Sequence, residues 1–570
     1  MCAKVFVAEF LALSLGAIHL HGAEAVSQPA SIKAAGAGFT NALSNVDGRW
    51  CGGGVTVRLD DAGRVFVSSP ASGVSWVELE WPVAWAEDAA FLADAWERSY
   101  GELGWRKLDG REIVSPWYFL VEAGGRTDGW GVGTGPNALI CWKVKKGGCS
   151  LRLDVRAGGA PVSLGGRTLE AARIVVRRGA KGESSFDAGR DFCRKMCPSP
   201  RLPKEPVYGY NDWYCAYGRN TATNFLKDAA YIVDCAKGLA NRPYVVMDDG
   251  WQKHACPDMG RLFGFADSGM GPWSESGPRF GMGMSDFCSR IAALGAKPGL
   301  WYRPFRAWPD APDGMKRLDD VRYFDPTVPA LRRQIVEDMS RFRKWGFRLV
   351  KIDYLTYDIC RRWGFKAGEM LIKDGEASWR DRSRTTCEVL KDLYGAMREA
   401  AGDDMVIIGC NALNHLAAGV FEVQRIGDDT SGKEWARTRK MGVNALAMRA
   451  VQDGAFFAAD ADCVGLASKG AVPWSKNRQW LDLVARSGTP LFVSWRRELA
   501  DEEFRSALAR AFAVASRPRS TGEPLDWKDT LLPSVWRFSD GEQNYSWFDV
   551  PFDSGERVAF FGDSITHGGK

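Results

Sequence analysis

A regular alternation of apolar strand-like segments with helix-like segments constrains the fold more than any other feature of this sequence. Eight short apolar segments recur over about 300 residues, and a helix-like stretch follows most of them. This is the number and length expected of a (β/α)8 barrel, in which a ring of parallel strands is surrounded by helices. The eight predicted strands are Pro206–Trp213, Pro243–Trp251, Lys297–Phe305, Phe347–Leu355, Met405–Asn411, Val420–Asp429, Ala455–Asp462 and Thr489–Trp495.

Two of the helix-like segments support this alternation clearly. Thr221–Gly238 and Pro329–Gly346 have apolar residues at helical spacing, and each ends in glycine, which commonly follows the last helical residue. The alternative is a doubly wound open sheet, which predicts a glycine-rich phosphate-binding loop after the first strand. The stretch Tyr208–Gly218 has no such loop. We therefore predict an α/β fold with a (β/α)8 TIM barrel.

The residues on either side of the predicted barrel have a different pattern. Residues 26–203 contain short runs of alternating apolar and polar residues separated by Gly, Asp and Ser, which predicts an N-terminal β-sandwich domain. A proline-rich stretch, Cys197–Pro206, marks the boundary with the barrel domain, predicted over residues 204–500. Residues 501–557 contain a helix and short β-like runs, and we predict a small C-terminal β domain there.

Residues 1–25 have the pattern of a secretory signal peptide. Lys4 supplies a positive start, an apolar stretch runs from Phe10 to Leu20, and Ala23–Ala25 fits a cleavage site of small residues. No later stretch of the sequence is long and apolar enough to span a membrane. We therefore predict a secreted or periplasmic protein.

Charge and cysteine spacing argue against two classes of partner. The net charge is +5 over 570 residues, with acidic and basic residues mixed throughout, so nucleic-acid binding is not expected. The pair Cys193 and Cys197 has no second half, which argues against a zinc site. His254 and His415 are the only histidines in the predicted barrel, which also argues against a histidine-based metal site.

Polar residues cluster where the predicted barrel strands end. Lys351 and Asp353 lie two residues apart on one strand and therefore point to the same side. In a (β/α)8 barrel the C-terminal ends of all strands meet at one face, where active sites are built. The residues expected at this face are Trp213, Asp248, Asp249, Arg303, Lys351, Asp353, Cys410, Asn411, Arg425, Asp428, Asp429, Asp460 and Asp462.

The carboxylates at this face need a ligand or a counter-charge. Carboxylates end four of the predicted barrel strands and would repel one another unless something used them. Residue types alone leave two uses open: a magnesium ion held by carboxylates, or a hydroxyl-rich ligand on which a carboxylate pair acts. We favour the second use, and we predict neither a metal ion nor a cofactor.

Five motifs of the predicted barrel resemble those of one enzyme family. They are VVMDDGWQ (245–252), GLWYRPF (299–305), LVKIDYL (349–355), QRIGDDTS (424–431) and ADADC (459–463). In this order they resemble glycoside hydrolase family 36 and its wider clan of retaining α-galactosidases, over roughly residues 205–500. The resemblance implies an exo-glycosidase that removes terminal α-linked galactose with retention of configuration. It also implies a carbohydrate substrate and a β-rich N-terminal domain.

The resemblance implies a role for individual residues. Asp353 matches the family's nucleophile, and Asp429 matches the acid/base at the end of an R-x-x-x-D spacing that begins at Arg425. Asp428 is the alternative acid/base because it directly follows a small residue. The residues expected to bind the substrate are Asp248, Asp249, Trp251, Trp213, Arg303, Lys351, Cys410, Asn411 and Arg425, with Trp213 and Trp251 as aromatic walls.

The implied chemistry requires two carboxyl groups in different protonation states. Retaining cleavage needs one ionised carboxylate that attacks the anomeric carbon and one carboxyl that holds a proton near neutral pH. We expect Lys351 to help keep Asp353 ionised. We also expect the like charge of Asp428 to raise the pKa of the adjacent Asp429.

Two departures from the family pattern leave the sugar specificity open. The family's cysteine-containing loop with Gly-Gly-Gly-Arg is replaced by GCNALNHLAAG (409–419), and Arg303 stands where a Glu is frequent. The alternatives are therefore an α-N-acetylgalactosaminidase or a transglycosylase of the raffinose-synthase type. A third alternative, from another class, is a catalytically idle barrel that binds glycans.

The last residues of the sequence resemble a different enzyme. Residues 558–570, VAFFGDSITHGGK, are similar to the first strand and nucleophile turn of SGNH-type esterases, with Ser564 at the position of the nucleophile. A coincidental turn is the alternative interpretation. No Asp-x-x-His motif follows in this sequence, so we expect no esterase activity from it.

Overall fold

The structure is a computed structural model that describes residues 26–101, 103–255, 269–466, 472–495, 497 and 500–548. The predicted signal peptide (1–25) and the SGNH-like segment (558–570) lie outside the described residues, as do residues 549–557 of the predicted C-terminal domain. None of the helices in these ranges is long and apolar enough to cross a membrane.

The N-terminal region forms two antiparallel sheets. Within the described residues, β10-β13-β14-β7-β1-β2 form a six-stranded sheet and β3-β4-β5-β6-β15-β12-β11-β8-β9 a nine-stranded sheet. The strands are β1 (Ser31–Gly36), β2 (Phe39–Ala42), β3 (Ser44–Val46), β4 (Arg49–Gly52), β5 (Val55–Leu59), β6 (Arg64–Ser68), β7 (Val74–Pro82), β8 (Ala90–Ala93), β9 (Trp105–Lys107), β10 (Ile113–Pro116), β11 (Tyr118–Ala123), β12 (Arg126–Val132), β13 (Leu139–Lys145), β14 (Gly148–Asp154) and β15 (Thr168–Arg177).

Aromatic side chains join the two sheets. The ring of Trp142, on the six-stranded sheet, lies 5.7 Å from Phe119 and 6.3 Å from Trp130, both on the nine-stranded sheet. All three side chains are buried, so the apolar faces of the two sheets share one core. The alternating burial along β5 and β7 reflects the alternation of apolar and polar residues in the sequence.

The middle of the chain forms a parallel sheet that contains all eight predicted barrel strands. Its order in the described residues is β22-β21-β20-β19-β18-β17-β16-β24-β23, and the register of every neighbouring pair is parallel. The strands are β16 (Tyr208–Asn211), β17 (Tyr244–Met247), β18 (Lys297–Tyr302), β19 (Leu349–Ile352), β20 (Val406–Gly409), β21 (Val423–Arg425), β22 (Ala458–Asp460), β23 (Cys463–Leu466) and β24 (Leu491–Trp495).

The two edge strands of this sheet are consecutive in the chain. Only Ala461 and Asp462 separate β22 from β23, although β22 pairs with β21 and β23 pairs with β24. β22 lies within the seventh predicted strand, Ala455–Asp462, and β23 begins directly after it as a strand that the sequence did not predict. Together the two strands bring the edges of the sheet together in a TIM-like arrangement. Asp462, between them, has φ +71°, in the left-handed region.

Helices connect the parallel strands and continue to the C-terminal region. Pro329 begins α5 and Gly346, at φ +108°, ends it, as the sequence predicts. Thr385 and Glu388 form a capping box at the start of α7. The helices are α1 (Ser185–Met196), α2 (Trp213–Ala216), α3 (Ala222–Cys235), α4 (Met284–Leu294), α5 (Pro329–Trp345), α6 (Leu355–Cys360), α7 (Thr386–Ala401), α8 (Asn414–Ala417), α9 (Trp435–Arg437), α10 (Asn444–Arg449), α11 (Trp474–Arg486) and α12 (Glu502–Ala515).

Short helical turns and a small sheet complete the described structure. The turns are a π-helical stretch, Thr438–Val443, and the 3-10 turns Asp313–Met315, Gly364–Lys366 and Ala450–Gln452. The sheet follows α12 and consists of the antiparallel strands β25 (Glu523–Pro524), β26 (Val535–Phe538) and β27 (Gly541–Asn544). The Trp435 indole donates a hydrogen bond of 2.8 Å to the Trp547 carbonyl, which links this region to the loop after β21.

The segment between β8 and β9 joins the N-terminal sheets to the barrel. We call residues 94–101 the connecting segment. The Ser99 amide donates to the carbonyl of Ile426 at 2.7 Å, and the Trp96 indole donates to the carbonyl of Gly368 at 3.0 Å. The connecting segment therefore lies against loops at the C-terminal ends of the barrel strands.

Candidate active site

A cavity opens at the C-terminal ends of the barrel strands. Its volume, open mouth included, is about 450 Å³. The side chains that line it are Arg98, Trp213, Asp248, Asp249, Trp301, Lys351, Asp353, Tyr354, Trp363, Cys410 and Asp429. Arg98, Trp301, Tyr354 and Trp363 were not expected there from the sequence, whereas the other residues were.

Asp353 follows β19 directly and is held by two donors. The Trp301 indole donates to its Oδ2 at 3.0 Å, and the backbone amide of Tyr354 donates to its Oδ1 at 2.7 Å. Tyr354 has φ +59°, a conformation that a non-glycine residue rarely adopts, and it forms the turn between β19 and α6. Both carboxylate oxygens of Asp353 therefore have a fixed orientation before any ligand binds.

Lys351 pairs with Asp248 rather than with Asp353. Its Nζ lies 2.8 Å from Asp248 Oδ2, which also accepts a hydrogen bond of 2.8 Å from the Asn211 side chain. Burial alone would lower the pKa of Lys351, but the charge of Asp248, with that of Asp353 as a smaller contribution, raises it well above its ordinary value. Lys351 thus stays charged at neutral pH and directly neutralises Asp248.

Asp249 and Asp212 are buried carboxyl groups beside this ion pair. Burial raises the pKa of Asp249 to about 6, although its Oδ1 accepts a hydrogen bond of 2.6 Å from Gln252. Burial and the like charge of Asp248 raise the pKa of Asp212 to about 8. Asp212 accepts a hydrogen bond of 2.7 Å from the Asp248 amide and thereby fixes the backbone at that position.

Asp428 and Asp429 follow β21 and differ in their exposure. The Asp429 side chain lines the cavity and is 19% exposed, whereas the Asp428 side chain is completely buried. Asp428 lies between two guanidinium groups, 2.9 Å from Arg98 and 2.6 Å from Arg437. A Cβ at Gly427 would overlap the carbonyl of Met441, so only glycine lets this loop approach the π-helical stretch. Of the two carboxyl groups, only Asp429 faces the space that a ligand can enter.

The expected pKa shift of Asp429 is wrong in direction. Burial alone would raise the pKa of Asp429. Arg98 and Arg425, however, lie 3.2 and 3.3 Å from its Oδ1, and these cations, with a weaker contribution from Arg437, lower this pKa to about 2. It is the pKa of Asp428 that is raised, because that carboxyl is buried more deeply. The expected shift rested on the like charge of Asp428 alone, whereas the charge of Arg98, 3.2 Å away, acts in the opposite direction.

Cys410, Arg425 and Asp462 support the Asp429 side of the cavity. The thiol of Cys410 accepts hydrogen bonds of 3.6 Å from both Arg98 and Arg425, and burial raises its pKa. Arg425 also pairs with Asp462 at 3.1 Å. Asp462 accepts hydrogen bonds from the Thr430 amide at 2.7 Å and from the Tyr214 hydroxyl at 2.5 Å. The left-handed residue between β22 and β23 thus fixes the loop that carries Asp429.

Arg425 and three other residues expected to bind the substrate lie behind the cavity wall. Trp251 is fully buried, and its indole donates to the carbonyl of Trp301 at 3.0 Å. Arg303 is fully buried in an ion pair of 2.7 Å with Asp358. Asn411 accepts a hydrogen bond of 2.8 Å from the Leu355 amide, at the start of α6. Each of them supports a residue or turn that does reach the cavity.

The aromatic walls come from three strand ends and one loop. Trp213, at the start of α2, is the only wall residue that the sequence predicted. Trp301 is the last residue but one of β18, Tyr354 lies two residues after β19, and Trp363 lies in the loop after α6, 5.6 Å from the Tyr354 ring. Flat aromatic faces of this kind pack against sugar rings. Within the described residues, no group of three or more His, Cys, Asp or Glu side chains is arranged to hold a metal ion.

Comparison with known proteins places this fold among α-galactosidases. No family model matches the chain. One curated relative, the bifunctional α-galactosidase/sucrose kinase AgaSK of Mediterraneibacter gnavus, is 26% identical in an alignment of 218 residues that covers 34% of this chain and 21% of that protein. The chain thus aligns with about a fifth of the length of this relative.

Solved structures match a much larger part of the chain. The α-galactosidase TtGalA of Thermus thermophilus superposes with a TM-score of 0.58 and 16% identity, covering 86% of this chain and 97% of that one. The GH36 α-galactosidase AgaA of Geobacillus stearothermophilus superposes with a TM-score of 0.57 and 13% identity, covering 85% of this chain and 71% of that one. The chain therefore resembles the α-galactosidases of glycoside hydrolase family 36 and has their fold.

Proposed function

We propose that this protein is a retaining exo-glycosidase that cleaves terminal α-linked galactose. The observation that carries the proposal is the placement of Asp353 and Asp429 in one cavity, each at the end of a barrel strand and each held by donors. The fold of α-galactosidases and the sequence match to one of them support the choice of sugar. We propose a closed (β/α)8 barrel with an N-terminal β-sandwich as the scaffold.

In the first step, Asp353 attacks the anomeric carbon of the bound galactoside. A bond forms between a carboxylate oxygen of Asp353 and this carbon, and the bond to the leaving oxygen breaks. The leaving oxygen takes a proton from Asp429, which becomes a carboxylate. The indole of Trp301 and the amide of Tyr354 orient the attacking carboxylate.

In the second step, water releases the sugar. Asp429 accepts a proton from the water as the water oxygen bonds to the anomeric carbon, and the bond to Asp353 breaks. The pair of Asp248 with Lys351, together with Asp249, presents acceptors and a cation to the sugar hydroxyl groups. Trp213, Trp301 and Trp363 enclose the apolar face of the ring.

The test is turnover of a panel of p-nitrophenyl glycosides by the wild-type protein and by Asp353→Asn. The panel contains the α-galactoside, the α-N-acetylgalactosaminide, the α-glucoside and the β-L-arabinopyranoside. We expect hydrolysis of the α-galactoside, with kcat/KM on the order of 10⁴-fold lower in the variant because the nucleophile is lost. An NMR spectrum of the first product should show the α-anomer, which establishes retention.

A matched control separates chemistry from folding. Asp338→Asn removes the charge of another buried aspartate, which lies on α5 and pairs with Arg341 outside the cavity. This variant should keep most of the activity. Turnover by Asp353→Asn equal to that of the control would refute the proposed nucleophile, and turnover of only the α-N-acetylgalactosaminide would replace the proposed sugar.

We also propose that the protein is exported. The supporting observation is the sequence pattern of residues 1–25. The test is cell fractionation of the full chain and of a chain that begins at residue 26. We expect the full chain to be exported and the shortened chain to stay inside the cell. The same distribution of both chains between the fractions would contradict the proposal.

A further inference from the structure

We propose that Arg98 is a positioning residue of the active site, which clamps Asp428 and Asp429 together at the end of β21. The inference rests on the proposed function for its catalytic meaning, but the clamp itself can be tested without turnover. Arg98 belongs to the N-terminal domain, so the site is completed by a part of the chain outside the barrel.

The guanidinium group of Arg98 contacts both carboxylates through different nitrogens. Its Nη2 lies 2.9 Å from Asp428 Oδ1, and its Nη1 lies 3.2 Å from Asp429 Oδ1. The same Nη1 lies 3.6 Å from the thiol of Cys410. The side chain is 2% exposed, so little solvent screens these contacts. A planar guanidinium can bridge two carboxylates in this way, whereas an ammonium group cannot hold both in a fixed geometry.

The connecting segment holds Arg98 in place from both sides. The amide of Ser99 donates to the Ile426 carbonyl at 2.7 Å, two residues before Asp428. Glu97 accepts hydrogen bonds from the Tyr100 hydroxyl at 2.7 Å and from the Gly364 amide at 2.8 Å. Arg449 donates to the carbonyl of Glu97 at 2.9 Å. The position of Arg98 is therefore fixed by contacts of its neighbours with the segments that follow β21 and α6 and with α10.

Other charged and titratable groups also face Asp429. Arg425 lies on the same loop, 3.3 Å away, and Arg437 on α9 donates to the Asp429 carbonyl at 2.8 Å. The further groups that interact with its charge are Lys351 at the end of β19, Asp428 beside it, and the phenols Tyr214 and Tyr217 at α2. Arg98 has the largest effect of the opposite charges, so its removal should change Asp429 more than any other single substitution.

The clamp has opposite effects on the two steps of the proposed reaction. It keeps Asp429 ionised, which is the form needed as a base when water attacks the glycosyl intermediate. The first step needs the protonated form, so the aglycone oxygen must enter between Arg98 and Asp429 and weaken this contact. Arg98 thus links the protonation of Asp429 to the occupancy of the leaving-group position.

The first test is the pH profile of kcat for melibiose in wild type and Arg98→Met, because kcat reports the groups of the enzyme–substrate complex, in which the leaving-group position is occupied. Loss of the cation raises the pKa of Asp429, so the basic limb of the profile should move upward by at least about one pH unit. Arg98→Lys restores the charge and should return the limb towards the wild-type position. Arg317→Met, which removes another buried guanidinium paired with Asp319 outside the cavity, should leave the limb in place.

The second test is a double-mutant cycle of thermal stability with Arg98→Met and Asp429→Asn. In the wild-type background the loss of Asp429 removes a carboxylate paired with two guanidinium groups, whereas in the Arg98→Met background it removes a carboxylate that keeps only Arg425 as a close side-chain partner. The two changes in melting temperature should therefore be clearly non-additive. Arg98→Gln, which keeps a donor without the charge, replaces Arg98→Met in both tests if that variant does not fold.

The outcomes of these tests distinguish the two proposals. If activity falls in Arg98→Met but the basic limb stays in place, Arg98 has a merely structural role and the inference is overturned. Additive changes in melting temperature in the double-mutant cycle would overturn it as well. If the wild type hydrolyses no glycoside while the cycle is non-additive, the proposed function fails and the clamp stands.

Discussion

The assignment of Asp429 rather than Asp428 as the acid/base makes a prediction that depends on the leaving group. Replacing the acid/base by Asn removes the proton that an alkyl leaving group requires, whereas p-nitrophenolate leaves without one. For Asp429→Asn we expect kcat/KM on melibiose to fall by about 10²–10⁴-fold, the usual contribution of general acid catalysis. The fall on p-nitrophenyl α-galactoside should be much smaller in the glycosylation step.

The structure predicts a different result for Asp428→Asn. Asp428 is completely buried between Arg98 and Arg437, at 2.9 and 2.6 Å, and loss of one member of such a pair costs about 3–5 kcal/mol of unfolding free energy. Both arginines keep a contact with Asp429, so we expect the lower end, about 3 kcal/mol. At about 2.1 cal/mol/K of unfolding entropy per residue, this corresponds to a melting temperature roughly 5 °C lower for a unit of about 300 residues, and to a smaller shift if the whole chain unfolds together. Its kinetic effect should be equal on both substrates.

The assay is a comparison of kcat/KM on melibiose and on p-nitrophenyl α-galactoside for the two variants at one pH and at a temperature where both are folded. Differential scanning fluorimetry supplies the melting temperatures. The reasoning is refuted if Asp428→Asn discriminates between the two leaving groups and Asp429→Asn does not, because the buried carboxyl would then be the proton donor.

Two further predictions concern the opposite side of the cavity. Trp301→Phe removes the indole donor 3.0 Å from Asp353, and a hydrogen bond to a charged acceptor contributes about 1.5–3 kcal/mol, so kcat/KM should fall about 10- to 150-fold. An unchanged kcat/KM would show that the indole does not orient the nucleophile. Asp249, with its pKa of about 6, should lose its charge as the pH falls below 6, and galactose binding measured by calorimetry should weaken there. Affinity in Asp249→Asn should lack this pH dependence.

The parts of the site that could be predicted from the sequence are those set by strand periodicity. Lys351 and Asp353 lie two residues apart at a strand end, and the structure places both in the cavity. Asp248 and Cys410 also follow predicted strands directly, and both line the cavity at the C-terminal ends of the strands. Strand periodicity does not say which neighbour a charge pairs with. Lys351 on β19 pairs with Asp248, which follows β17, and not with Asp353.

Residues from irregular segments could not be placed in this way. Arg98 lies in the loop between β8 and β9, 331 positions before Asp429, and no period in the sequence relates the two. The local sequence offers one signal: Glu97 and Arg98 stand between Trp96 and Tyr100, and charged residues in a buried segment are almost always paired. For Trp251 the sequence predicted a place in the cavity that the structure does not show. A tryptophan after a strand can form the cavity wall or support it from behind, and Trp251 supports Trp301 from behind.

The connecting segment also has a consequence for synthesis on the ribosome. Asp94 pairs with Arg449 at 3.0 Å, and Arg98 pairs with Asp428 and Asp429, so the partners of this segment are translated more than 300 residues later. At about 5–20 residues per second, this delay is roughly 15–70 seconds. The N-terminal sheets therefore emerge with a charged segment in water, and its burial has to wait until the second half of the barrel has been made.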